Sequence, residues 1–222
     1  MRPEASDDRP FHSTRFIDAL VAYCQSAVGG ERGLLAIDGR GCSGKSTLAT
    51  QLADALGTAA CVIGVDSFFT PFDQQRPGSP ASLYHLRWQE FRNAIRQLRQ
   101  VGSLSYRPYD WESDALLSAQ VIDSPLVIVE GLYAMHRDVC GLYDARIWVE
   151  ADLATRWDRV LARDGPALID RWRDEWVPME QRYLDEQRPW RQADVVVAGI
   201  SLEVYQLGRA LGEVAESQRR RP

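Results

Sequence analysis

Gly39, Arg40, Gly41, Cys42, Ser43, Gly44, Lys45 and Ser46 run in the spacing G-x-x-x-x-G-K-[ST], with Thr47 next in line. That combination suits one chemistry, the cradling of phosphate. The glycines let the backbone turn so that successive N–H groups converge on phosphate oxygens, and a helix beginning at the lysine adds its partial positive end. In such a loop Lys45 reaches the β- and γ-phosphates of a nucleotide and the Ser46 hydroxyl ligates Mg²⁺. A glycine-rich turn can match the pattern by chance, so the flanks decide. The apolar run "GLLAIDG" precedes the loop, and "KSTLATQLADALG" follows with Leu48, Leu52, Ala55 and Leu56 at helical spacing, ending at Gly57. Strand, loop and helix in that order predict nucleotide binding by Gly39, Gly41, Cys42, Ser43, Gly44, Lys45, Ser46 and Thr47.

Three further groups could complete a phosphoryl transfer. Glu130 closes the apolar run "LVIVEG", where a carboxylate at the end of a strand beside a phosphate loop can hold a metal ion. Asp66 closes another, "VIGVDSFF"; a carboxylate there can accept the proton of an attacking hydroxyl, or else cap the turn with Ser67. Arg156, Arg159 and Arg163 fall at i, i+3 and i+7 in "DLATRWDRVLARDG". One helical face therefore carries three guanidiniums, which can clamp a transferring phosphoryl group or pair with Glu150, Asp152 and Asp158 as an ordinary surface helix.

The elements that must position these groups are legible as alternating apolar runs and amphipathic stretches. "CVIGVDSF", "PLVIVEG", "ARIWVEA" and "ADVVVAG" are short and rich in valine and isoleucine, without the alternation of a half-solvated sheet. Helical stretches begin near Ser13, Arg87, Asp152 and Ala167. The alternation predicts an α/β fold, a parallel sheet covered by helices on both faces. "TPFDQQRPGSPAS" and "SYRPYDWESD" read as irregular loops that could form a lid or acceptor pocket.

The ordered set "IDGRGCSGKST", "VDSFF", "YDW", "VIVEG", "RVLARD" and Pro189 followed by "ADVVVAG" resembles the uridine/cytidine kinase family, a group of small-molecule P-loop kinases related to phosphoribulokinase and bacterial pantothenate kinase. The resemblance runs from about Leu34 to Gly199 in the family's motif order. It implies ATP and Mg²⁺ as cofactors and a small-molecule hydroxyl as acceptor, with a ribonucleoside such as uridine leading. It also implies Asp66 as the base, Ser46, Glu130 and Asp66 as the metal-side groups, and Lys45, Arg159 and Arg163 as catalytic. Arg156 joins them on the substrate side. The acceptor segments span about 66–114 and the helical lid about 152–175.

The family's acceptor motifs match less closely. Phe69 stands where the family has tyrosine, and the segment Tyr109, Asp110, Trp111 is followed by Asp114 where the family has histidine. His85 falls near the position of the family's ribose-binding aspartate. Phe69, His85, Tyr109, Trp111 and Asp114 are therefore the expected acceptor residues. These departures keep a second acceptor class open, such as pantothenate, a sugar phosphate or a specialised metabolite. A third reading is a nucleotide-binding regulator that transfers nothing; no Asn-Lys-x-Asp segment reads guanine.

Composition narrows the rest. A net charge of -5 over 222 residues carries no electrostatic footprint for nucleic acid or an anionic membrane. Cys24, Cys42, Cys61 and Cys140 are scattered without metal-ligand spacing, which suggests a reducing, cytoplasmic setting. No run approaches the roughly 18 to 20 apolar residues of a membrane span. The organisation expected is a disordered leader over 1–12, one domain over 13–218 and a solvated tail over 219–222, with a homo-oligomer compatible with the sequence.

Overall fold

The computed structural model describes residues 13–57, 60–76, 83–199 and 205–207; the expected leader and tail lie outside them. The chain opens with helix α1 (Ser13–Ala27), then strand β1 (Gly33–Gly39), helix α2 (Lys45–Leu56) and strand β2 (Ala60–Gly64). Helix α3 (Trp88–Val101) follows, then strands β3 (Ser103–Tyr106), β4 (Tyr109–Asp110), β5 (Ala115–Leu116), β6 (Gln120–Asp123), β7 (Leu126–Glu130) and β8 (Ala145–Glu150). Helix α4 (Leu153–Asp164), α5 (Ile169–Arg171), a π turn (Trp172–Trp176) and α6 (Val177–Gln187) lead to β9 (Val195–Gly199) and β10 (Tyr205–Leu207).

The main sheet runs β10-β9-β8-β1-β7-β2, parallel throughout except at the β10 edge. Every residue of β1 is buried, as a central strand under helices on both faces requires. Its side chains alternate between two cores. Leu34 and Ala36 face a cluster built with Phe91, Ala94, Ile95 and Leu98, the i, i+3, i+4, i+7 stripe of α3. Leu35 and Ile37 face Phe16, Leu20 and Cys24 of α1 and Leu48, Ala49 and Leu52 of α2. The predicted α/β architecture is thus present.

One expectation needs correction. "SYRPYDWESD" is not irregular: β3 pairs with β6 and β4 with β5, both antiparallel. Strands of two to four residues are too short to carry a hydrophobic period, so the sequence pattern could not show them. The helical stretch expected from Ala167 is present, running without a break from α5 through α6, with a π turn at Trp172–Trp176 and Trp172 buried.

Strand register brings the site groups together at the carboxyl edge of the sheet, where ligands of such folds bind. Glu130 pairs with Ile37 on one side and Gly64 on the other. The phosphate loop leaving β1, the end of β7 and Asp66 just past β2 therefore lie on three adjacent strands.

Candidate active site

The loop leaves β1 through Asp38, whose side chain is fully buried. One carboxylate oxygen accepts the Gly39 N–H at 2.6 Å; the other accepts the Met135 N–H at 2.9 Å and the Tyr183 hydroxyl at 2.7 Å. Burial pushes its pKa up to about 6, against the pull of these hydrogen bonds and of Lys45. Gly44, at φ 104°, makes the left-handed turn into α2 that a side chain would strain. Lys45, 8% exposed, donates from Nζ to the Arg40 carbonyl at 2.8 Å and closes the loop on itself. The Ser43 hydroxyl is buried without a hydrogen-bond partner. An orphaned buried hydroxyl in a phosphate-binding loop is a donor left free for an anion.

Ser46 Oγ donates to Glu130, 3.2 Å from each carboxylate oxygen. A hydroxyl and a carboxylate meeting at the head of α2 form a hard oxygen donor set. Mg²⁺ takes few protein ligands and completes its shell with water and phosphate, so this set fits it. Burial raises the Glu130 pKa while Lys45 lowers it and Asp66 raises it further. Asp66 is raised by burial too, opposed by Lys45 and Arg163. Its side chain is nonetheless open to the cavity, so solvent screens those charges.

These groups share one cavity of about 840 Å³, lined among others by the phosphate loop from Gly41 to Thr47, Asp66, Glu130, Arg159 and Arg163. Arg159 donates to the Cys42 carbonyl at 3.2 Å. Arg163 is held by Asp164 at 2.6 Å, which raises its pKa, and lies 5.8 Å from the centre of the Trp172 ring.

Arg156 does not line the cavity. It is 5% exposed, donating from Nε to the Gly41 carbonyl at 2.7 Å and from Nη2 to Glu180 at 2.7 and 3.0 Å. The first position of the arginine face, expected on the substrate side, is instead turned beneath the loop.

The side of the cavity that carries the expected acceptor residues Phe69 and Trp111 is a wall of rings. Phe69 and Trp111 stand 4.4 Å apart, Trp111 and Trp176 6.2 Å, Trp176 and Trp172 5.0 Å between centroids. His85 also lines the cavity; its Nδ1 is buried and unpartnered, and burial lowers its pKa to about 4. Tyr109 and Asp114 stand behind this wall. Asp114 accepts from the Tyr109 hydroxyl at 2.7 Å and from the Phe72 N–H at 3.0 Å, which fixes the turn that carries Phe69's neighbours.

Tyr133, Trp172, Trp176, Met179 and Glu180 belong to the cavity wall without forming part of any phosphate or acceptor motif. Trp172 and Trp176 carry the one usable signal, since a spacing of four places both rings on one helical face.

A model of the phosphoribulokinase/uridine kinase family matches residues 81–171, a stretch that includes Glu130 and α4. A uridine kinase from Halobacterium salinarum is 24% identical over 170 residues, 70% of this chain and 75% of that protein. Among solved structures, one described as a possible uridine kinase from Bacillus stearothermophilus superposes with a TM-score of 0.65 at 23% identity, covering 82% of this chain and 97% of that one. A chain described provisionally as a fructose transport system kinase, from Silicibacter sp. TM1040, gives a TM-score of 0.65 at 22% identity, with 76% and 94% covered. The resemblance carried by the motifs holds in these matches. The fold is that of P-loop kinases, shared with these solved structures.

Proposed function

We propose that this P-loop kinase transfers the γ-phosphoryl group of ATP to a hydroxyl of a small molecule, with a ribonucleoside such as uridine as the leading acceptor. The observation that carries the reading is the opening of Asp66 and the Ser46–Glu130 pair into the same cavity as the phosphate loop. Asp66 takes the proton of the acceptor hydroxyl as its oxygen bonds to the γ-phosphorus. The bond from that phosphorus to the bridging oxygen breaks, and ADP leaves with the electron pair. Lys45, Arg159 and Arg163 spread the charge of the transferred group. Ser46 and Glu130, with Asp66 beside them, would hold Mg²⁺, which supplies charge neutralisation when bound. The segment of about 152–175, from α4 into the π turn, would serve as the lid.

The aromatic wall favours a second acceptor class. Asp114 is spent on Tyr109 and Phe72, and Phe69 lacks a hydroxyl, so fewer groups are available to read a nucleoside. An ATP-consumption screen over nucleosides, vitamins and sugars, with mass spectrometry of the product, decides between the two. Uridine and cytidine consuming ATP no faster than a blank would remove the nucleoside. Turnover with any acceptor, lost in Asp66→Asn while ATP still binds, removes the reading of a non-catalytic regulator. A cytoplasmic setting belongs to this proposal, supported by four free cysteines. Among the described residues no helix is long and apolar enough to cross a membrane.

A further inference from the structure

Beneath the phosphate loop lie four charged side chains that the transfer does not use. Glu180 of α6, 1% exposed, accepts the Gly41 N–H at 2.6 Å. Arg156 of α4 donates to the Gly41 carbonyl at 2.7 Å and grips both oxygens of Glu180. Both polar backbone groups of Gly41 are thus taken, each by a different helix. Arg40 adds a contact to Glu180 at 3.1 Å and lies 3.7 Å from Glu150. Trp172 closes the remaining side, since a Cβ on Gly41 would sit 2.6 Å from its ring.

We propose that Glu180 and Arg156 are positioning residues, a charge-balanced clamp through which α4 and α6 hold Gly41 and keep the phosphate loop in its anion-receiving shape. The proposal rests on the reading of this loop as the site of the donor phosphates.

The physical need is specific. A glycine-rich loop gives up much conformational freedom to hold one shape, and aligned N–H groups stabilise phosphate only if they are fixed beforehand. A carboxylate is an odd fixative in such a place, because it repels the anion the loop should attract. Arg156 makes it tolerable by cancelling its charge. The two halves of the clamp are therefore unequal: loss of the arginine leaves the Glu180 anion with only the more exposed Arg40 to balance it, whereas loss of the carboxylate's charge leaves cations there.

Calorimetric titration of the full chain with ATP and Mg²⁺ tests this without any acceptor, alongside thermal melting. Arg156→Gln is expected to weaken ATP binding roughly tenfold or more, and Glu180→Gln less than that. Arg156→Lys keeps the charge but loses the forked contact, and recovers part of the affinity. Replacing a buried ion pair by apolar residues is often neutral for stability, so the double variant Arg156→Leu/Glu180→Met separates folding from positioning. Its expected behaviour is a melting temperature near that of the wild type with ATP binding still weakened. Wild-type affinity in that double variant, or Glu180→Gln weakening ATP as much as Arg156→Gln, overturns the clamp while the wild type's own ATP binding leaves the phosphate reading standing. A wild type that does not bind ATP removes both.

Discussion

The two ends of the cavity are built by opposite means. At the donor end almost every polar atom already has a partner within the protein. Lys45 closes on Arg40, Glu180 and Arg156 hold Gly41, and Asp38 ties the loop's entry to Met135 and Tyr183. At the acceptor end Phe69, Trp111, Trp172 and Trp176 touch ring to ring, and His85 Nδ1 and Tyr133 Oη have no partner. A lattice of hydrogen bonds fixes where charge is received. A wall of rings selects by shape, and such a wall separates acceptors differing by a methylene by only about 10–200-fold, against 10⁴-fold or more for a site that pairs polar groups. The donor end should therefore behave alike with any acceptor, and the acceptor end should tolerate related molecules.

The largest expected effect breaks the chemistry where the two ends meet. Asp66→Asn removes the proton acceptor, and turnover should fall by about 10²–10⁴-fold, measured under saturating ATP and acceptor, with ATP affinity retained. Equal loss of ATP binding would instead place Asp66 wholly on the donor side.

Truncating the aromatic wall comes next. Trp111→Ala or Trp176→Ala should raise the acceptor KM by roughly 5–150-fold, the range a lost stacking partner gives, and leave the ATP KM unchanged. A rise in both would mean that the two ends are one site energetically.

A smaller effect concerns pH. Asp66 must be ionised to take a proton, and its pKa is raised above the ordinary 3.8, so activity should be lost on acidification at a higher pH than for an ordinary aspartate. Arg163 lowers that pKa, so Arg163→Gln should move the acid limb of the pH–rate profile further up. A limb that stays in place would show that the donor-side guanidinium and the acceptor's base do not communicate.

The donor end is also the part that sequence discloses best. A contiguous motif fixes its own geometry, and Glu130 and Asp66 are found because one ends and the other closely follows an apolar strand, β7 paired in register with β1 and β2 with β7. Arg156 shows the limit of periodicity. Helical spacing puts it on a face with Arg159 and Arg163, but only the path of α6, which delivers Glu180, decides that it is buried under the loop. The acceptor end assembles Phe69, Trp111 and Trp176 from three distant segments, and Trp176 reaches it through a π turn that no residue pattern announces. The pairings of β3 with β6 and β4 with β5, which frame Trp111, are tertiary choices as well.

Asp114 gives the smallest and sharpest test of the comparison. Its place in the motif order makes it an expected acceptor residue; its contacts make it scaffold, since it accepts from the Tyr109 hydroxyl and the Phe72 N–H. Asp114→Ala strands both donors, at about 1–3 kcal/mol, which for a chain of this size lowers the melting temperature by roughly 2–12 °C. Alanine also fits poorly at Asp114's φ of 49°, a left-handed conformation that aspartate tolerates better. If Asp114 is scaffold, Asp114→Ala and Asp114→Asn should differ in melting temperature, with asparagine keeping an acceptor and the turn, while ATP KM and turnover at saturating acceptor stay near wild type. If it also reads the acceptor, the acceptor KM rises in Asp114→Asn too, where the turn and melting temperature are kept, and the wall of rings gains a polar group that discriminates.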